Sequence, residues 1–379
     1  MEKRYTLGFL VNPIAGMGGR VGLKGTDNVL EEAIRRGAEP VAPKRASEFL
    51  GRLETLLNQE RLSIDIVSCR LNMGEDYIKA SGLKASYIDI PASRETSAED
   101  TRRAVEEFAS RDVSLIVFVG GDGTARDVYE GLEKAGRMDI PILGVPSGVK
   151  IYSGVFAVTP VDAAYIVVEH ILGRAREMDL EVMDIDEEAF RRDRIDVKIY
   201  GYARSIYIPF HTQSSKQLSP DSVDEVENQL GIARYIEEIF DENGIYILGP
   251  GTTVKRIADQ LGIEKTLLGV DVYHRGSVYN DVSEREILSL IGDDEAWIIV
   301  TPIGRQGILF GRGNQQISPR VIKRVGRDHI IVVATLRKLR DIPGGVLRVD
   351  TQDPEVDELL RGYIKVIVDY RTWRMVKII

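Results

Sequence analysis

Five consecutive apolar residues, Leu115-Ile-Val-Phe-Val119, run directly into Gly120-Gly-Asp-Gly-Thr124. An apolar run of that length and branching is a strand buried on both faces. A helical pattern resumes at Asp127, Val128 and Tyr129. A strand that turns through glycines into a helix presents backbone N–H groups and a positive dipole end, which together suit a phosphate. Asp122 then stands among residues with no side chain to keep a polyphosphate away. The plainer alternative is a βα turn whose glycines only supply positive φ. Gly-Gly-Asp-Gly-Thr after a strand is more specific than a glycine pair, and it favours a functional site.

Two more strand ends carry similar loops. Tyr5–Val11 ends in Asn12-Pro-Ile-Ala-Gly16-Met-Gly18-Gly19, which lacks the Lys-Ser/Thr of a P-loop and the spacing of GxGxxG. Ile140–Val145 ends in Pro146-Ser147-Gly148-Val149-Lys150. Between them, Thr96-Ser-Ala-Glu99 has the form of a capping box opening a helix to Ser110. Ligands of open α/β sheets bind beyond the carboxyl ends of the strands. Residues 1–175 are therefore expected to form one doubly wound α/β domain, with Asn12, Gly16, Gly18, Gly19, Gly120, Gly121, Asp122, Gly123, Thr124, Ser147 and Lys150 around its site.

Residues 176–379 are expected to form a second, mixed and β-rich α/β domain, with the site in the cleft between the two. Strands at 196–200 and 205–210 suggest a hairpin around Gly201, followed by a polar loop at 211–221. Gly244–Leu248, Gly249-Pro-Gly251-Thr252-Thr253, a helix and Leu267–Val272 read as a small βαβ unit at 244–272. Parallel strands there would set Asp271 beside Gly251, Thr252 and Thr253, a loop for phosphate next to a carboxylate for a sugar hydroxyl. A helix capped by Thr252 or Thr253 is the equal alternative. The strand at 296–300 leads to Thr301-Pro-Ile-Gly304 and then to Gly311-Arg-Gly-Asn-Gln-Gln316, too polar for a core and expected to be irregular. The tail Trp373–Ile379 is apolar enough to be tied into a sheet.

The formal net charge of −9 argues against a nucleic-acid or membrane surface and leaves room for a local basic pocket. One cysteine among 379 residues excludes a disulfide framework, and the four histidines show no metal-ligand spacing. A short apolar N-terminal run that leads into a glycine loop is no signal peptide, so a cytoplasmic protein is expected. A homo-oligomer is also expected.

The Asn12-Pro13 loop with Gly120–Thr124 resembles the superfamily that joins NAD kinases to diacylglycerol and sphingosine kinases. Thr301–Gly304 and the following residues through Pro319 are similar to the TPTGSTAY region of NAD kinases. The order of these pieces is most similar to the ATP-NAD kinase-like family of archaea and bacteria, which includes the accessory protein of acetoin catabolism. That resemblance implies an NAD kinase-like fold, Asp122 as the catalytic acid/base and Gly120–Thr124 as the cradle of the donor phosphates. It implies ATP or polyphosphate as donor, Mg²⁺ as cofactor and NAD as acceptor, with Ser147, Lys150, Thr301 and Gly304 near the substrates. Two departures stand out. The chain has no Asn-Glu dipeptide, the pair with which NAD kinases grip the nicotinamide nucleotide, and Thr301-Pro-Ile-Gly-Arg-Gln-Gly-Ile308 lacks the Ser, Thr and Tyr of TPTGSTAY. The acceptor therefore stays open between NAD and another small hydroxyl compound, lipid-like or sugar-like, and a nucleotide-binding regulator without turnover is the third alternative. Arg20, Arg126 and Lys150 are candidate cations for the charge that develops in phosphoryl transfer.

Overall fold

The computed structural model describes residues 5–23, 30–91, 93–148, 151–185, 197–213, 223–304 and 306–379. They form sixteen strands and twelve α-helices in two sheets. The first sheet has the order β3-β2-β1-β4-β5-β7-β6. Its strands are β1 (Thr6–Val11), β2 (Asp65–Cys69), β3 (Ser86–Ile88), β4 (Leu115–Gly120), β5 (Ile142–Pro146), β6 (Arg176–Ile185) and β7 (Val197–Tyr207). The first five pair in parallel, and the central β1, β4 and β5 are buried on both faces. In β4, Leu115, Val117 and Val119 pack with Phe49 and Leu53 of α2 (Ala42–Glu60) and with Val167 of α6 (Pro160–Ile171). Ile116 and Phe118 face the other way, onto Val105 and Phe108 of α4 (Ala98–Ser110) and Val128 of α5 (Asp122–Ala135). The uninterrupted apolar run at 115–119 is thus the signature of a central strand in a doubly wound sheet.

Four sequence expectations shift. Helix α4 is capped by Ser97 with Asp100, one residue later than Thr96 with Glu99. Helix α5 starts at Asp122 rather than Asp127, so Gly-Asp-Gly-Thr is its first turn and not a loop before it. The hairpin is not folded about Gly201. It pairs the long strands β6 and β7, with Gly201 opposite Val182. Through Ile142↔Ser205 this hairpin joins β5, so the first sheet continues past 175 to Tyr207.

The second sheet has the order β10-β9-β8-β11-β13-β15-β16-β14-β12, in which β10 is Ser277–Tyr279, β12 is Ile308–Phe310 and β14 is Val346–Val349. Strands β8 (Ile245–Leu248), β11 (Trp297–Val300), β13 (Ile330–Val333) and β15 (Gly362–Asp369) run parallel. Helices α7 (Val223–Ile239) and α8 (Thr252–Gln260) cover one face through Ile232, Ile236, Val254 and Ile257, which pack on Leu248, Ile299, Val333 and Ile367. The tail is strand β16 (Thr372–Ile378), antiparallel to β15, as its apolar composition predicts.

The 244–272 unit is not βαβ. Strand β9 (Asp271–His274) runs antiparallel to β8. The cause is local: Gly251 N–H donates to Leu267 O at 2.9 Å, so the chain after α8 doubles back to the carboxyl end of β8. A strand that enters there can only run the other way.

Candidate active site

Loops at the carboxyl ends of β1, β4 and β5 converge. Asn12 Nδ2 donates to Thr124 Oγ1 at 3.0 Å, which ties the end of β1 to the first turn of α5. Ser147 N–H donates to Gly120 O at 2.9 Å, which ties β5 to β4. Close approach explains the glycines. A Cβ on Gly120 would lie 2.4 Å from Thr124, and one on Gly121 would lie 3.3 Å from Gly148 Cα. Gly121 has φ −118, so it is not positive φ that selects it. Gly16 does need it, with φ +83 and a hypothetical Cβ 1.8 Å from Ser147 O. The loop closes on itself through Gly19 N–H to Gly16 O at 3.4 Å and Leu23 N–H to Gly18 O at 2.9 Å.

Asp122 is the first residue of α5 and is 5% exposed. Oδ2 accepts from Tyr152 N–H at 2.7 Å, and Oδ1 accepts from Ser153 N–H at 3.0 Å and Ser153 Oγ at 2.7 Å. Burial pushes its pKa up to about 6, although the Ser153 hydroxyl and the two N–H donors pull it down and Asp184 adds a smaller upward push. The carboxylate is held by three donors and still keeps a lone pair on Oδ2, since a carboxylate accepts about four hydrogen bonds. A pKa near neutrality suits a general base.

The segment 311–316 of the second half packs against these loops. A Cβ on Gly19 would lie 2.8 Å from the Gln315 side chain. Arg312 Nη1 donates to Gln213 Oε1 at 2.9 Å and Nη2 to Val158 O at 2.8 Å. Gln213 Nε2 in turn donates to Ile151 O at 2.7 Å, one residue before the N–H groups that hold Asp122. The seam is also fastened by Arg45, whose Nη1 and Nη2 donate to the two oxygens of Asp350 at 2.7 Å each. Burial alone would lower the Arg45 pKa, but Asp350 and Glu48 outweigh it and keep the guanidinium charged.

Sequence reasoning missed Ser153, Gln213 and Arg312. The expectation that 311–316 is too polar to be buried is corrected: Arg312, Asn314, Gln315 and Gln316 are all buried. Asn314 makes this possible by accepting from Gly311 N–H at 3.0 Å and donating to Leu309 O at 2.9 Å. Of the polar loop at 211–221, His211–Gln213 is described and Gln213 is buried, while the rest lies outside the described residues. Lys150 also lies outside them. Arg126 does not stand free for a phosphate, because its Nη1 pairs with Asp184 Oδ2 at 2.7 Å. Arg20 pairs with Glu39 at 3.8 Å.

The remaining candidates gather on the second sheet. Gly251 is the N-cap of α8, so neither Thr252 nor Thr253 caps it. A Cβ on Gly251 would lie 2.9 Å from Thr301 Cγ2. Thr301 is 2% exposed and accepts from Lys338 Nζ at 3.2 Å. Gly304, with φ +66, begins the turn into β12 (Ile308–Phe310). Asp271 does neighbour the end of β8, opposite Leu248, but by antiparallel pairing. It is 0% exposed and its carboxylate is engaged by Lys265, Thr266 and Asp281 N–H, so it is a structural group and not one offered to an acceptor.

Among the described residues no helix is long and apolar enough to cross a membrane, and no group of three or more His, Cys, Asp or Glu residues could hold a metal ion. A search of the curated proteins gave no match. The ATP-NAD kinase N-terminal domain matches residues 7–175, and the ATP-NAD kinase C-terminal domain matches residues 241–378. The first match covers the parallel strands of the first sheet and the second covers the second sheet, with β6 and β7 between them, and the chain belongs to the ATP-NAD kinase family.

Proposed function

We propose that this NAD kinase-like phosphotransferase moves the terminal phosphoryl group of ATP, or of polyphosphate, to the 2′-hydroxyl of NAD. The observation that carries the proposal is Asp122. It is a buried carboxylate at the start of a helix among glycine loops, with its pKa pushed up to about 6. In this scheme the hydroxyl oxygen attacks the terminal phosphorus as its proton passes to Asp122 Oδ2. The bond from that phosphorus to the bridging oxygen breaks, and ADP or the shortened polyphosphate leaves. In this reading, backbone N–H groups of the 16–19 loop and of the first turn of α5 hold the donor phosphates, with Ser147 beside them. Mg²⁺ enters with ATP as part of the substrate, shielding its phosphates. The described residues offer no cluster of their own for a resident ion.

A second reading keeps the reaction and changes the acceptor. It is favoured by the missing Asn-Glu pair and by the burial of Asp271, which leaves the expected substitute grip unbuilt. One assay separates the two. Purified protein, Mg²⁺, NAD and either ATP or polyphosphate are incubated and the product is read as NADP. NADP formation supports the NAD assignment. NAD binding without NADP from either donor points to a regulator, and the absence of NAD binding points to another hydroxyl acceptor.

A further inference from the structure

Arg312 is a buried cation whose partners do not neutralise it. It is 7% exposed, and its two bonded acceptors, Gln213 Oε1 and Val158 O, are both neutral. Its Nε has no hydrogen-bond partner at all. Asp350, the carboxylate acting on it most strongly, is committed to Arg45 by two bonds of 2.7 Å. Asp122 and Asp162 act on it more weakly, and neither forms an ion pair with it. A buried guanidinium without a counter-charge is strongly disfavoured. Burial pushes its pKa down to about 10, which still leaves it charged at neutral pH.

A second buried donor also lacks a partner. Ser147 is 2% exposed and its Oγ makes no hydrogen bond. The 16–19 loop touches both neighbourhoods: Gly16 abuts Ser147, and Gly19 abuts Gln315, three residues along the chain from Arg312. An unpartnered Nε–H of a charged guanidinium, an unsatisfied hydroxyl and a loop of backbone N–H groups match the oxygens of a phosphate.

We infer that Arg312, carried by the second half of the chain, binds a phosphate oxygen of the phosphoryl donor across the seam, with Ser147 Oγ as a second donor to the same anion. The inference rests on the phosphotransferase function proposed above and adds to it the residue that makes the second half part of the donor site. The Gln213 bridge gives this contact a route to Asp122, because Gln213 also holds the 151–153 segment whose N–H groups bind that carboxylate. The competing role is a seam latch that binds no ligand.

Titration of the full-length protein with inorganic tripolyphosphate, followed calorimetrically, separates the two roles. Arg312→Gln removes the charge. Gln213→Glu keeps Arg312 and its acceptor and supplies a fixed carboxylate, and Gln213→Met, which loses the same Nε2 bond to Ile151 O without adding a charge, is its control, so the pair tests the charge even if Arg312→Gln does not fold. Arg312→Gln is expected to weaken tripolyphosphate binding at least about tenfold, a loss typical of one charge-assisted contact, and Gln213→Glu by as much again relative to Gln213→Met. Arg312→Lys should restore part of that loss. Wild-type affinity in every variant that folds, or a wild-type protein that does not bind tripolyphosphate, would overturn the inference. Making NADP from ATP and NAD is measured alongside. Binding lost in the variants from a protein that makes no NADP would sink the acceptor assignment and leave the subsite standing. NADP production with binding intact in the variants would do the reverse.

Discussion

Ser153 donates twice to one oxygen of Asp122, from its backbone N–H at 3.0 Å and from its hydroxyl at 2.7 Å. The same hydroxyl accepts from Met183 N–H at 2.9 Å, so a serine absent from any obvious motif couples the catalytic candidate to the β6 edge of the sheet. Ser153→Ala removes one of the groups that hold the Asp122 pKa down and leaves the buried Met183 N–H without its acceptor. The acid limb of the kcat/KM profile should move to higher pH, and chemical denaturation should show a loss of about 1–3 kcal/mol. An unmoved acid limb would mean that the titration belongs to another group.

Asp122 itself should give stability a distinctive pH dependence. Its folded pKa is pushed up to about 6 by burial, above an unfolded value of about 3.9. The folded chain therefore holds the proton more tightly. Its stabilising contribution is fully present below the unfolded pKa and is lost as pH rises through the folded one. Asp122→Asn has no such titration, so wild type should lose stability relative to the variant between about pH 4 and pH 7, by on the order of 3 kcal/mol. The amide also places an NH₂ against a backbone N–H, which adds a constant offset but no pH dependence. Turnover should fall by roughly 10²–10⁴. Melting curves across pH that stay parallel would show that the carboxylate is not desolvated.

What the sequence revealed and what it hid divide along physical lines. Strand β4, the Asn12 and Ser147 loops and the tail strand β16 were readable because each depends on local signals, an apolar run or a glycine cluster. Asp122 was readable because the residues around it are small for a reason that the chain prints in order. The hairpin β6–β7 was misplaced because Gly201 looks like a turn but sits inside β7, where a side chain would strike Tyr129 Oη at 2.4 Å. The direction of β9 follows from the return of the chain to the carboxyl end of β8, marked by the Gly251 to Leu267 hydrogen bond, which composition does not encode. Arg312 was hidden because a polar segment is ordinarily read as exposed, whereas its bonds run to Gln213 and Val158, 99 and 154 positions away.

Two glycines with the same backbone angle separate strain from crowding. Gly16 and Gly37 both have φ +83, but a Cβ on Gly16 would lie 1.8 Å from Ser147 O while one on Gly37 would meet nothing within 4 Å. Gly37→Ala should cost only the left-handed strain, about 1–2 kcal/mol. Gly16→Ala must also push the 13–22 loop away from Ser147, so its cost should be larger and it should weaken tripolyphosphate or ATP binding, which Gly37→Ala leaves alone. Equal effects on stability and on binding would show that the loop relaxes freely and that the close approach to Ser147 has no part in the site.

The last expectation concerns Asp271, whose burial turns a substrate role into a structural one. Its carboxylate accepts from Thr266 N–H at 2.8 Å, Thr266 Oγ1 at 2.9 Å, Lys265 Nζ at 3.2 Å and Asp281 N–H at 2.6 Å. Lys265 is equally inaccessible and spends its other protons on Thr266 O at 2.8 Å and Gly269 O at 3.2 Å. Such a pair is not evidence of great net stability, because desolvating two charges offsets much of their attraction. Breaking it is costly all the same, since one buried charge is then left alone. Lys265→Met and Asp271→Asn should each destabilise the fold by about 3–5 kcal/mol, while the apolar double replacement Lys265→Met with Asp271→Leu should cost less than the two single changes together. The KM values for donor and acceptor should stay at wild-type levels in whichever variants fold. A raised acceptor KM in Asp271→Asn with an unchanged unfolding midpoint would return this carboxylate to the substrate site.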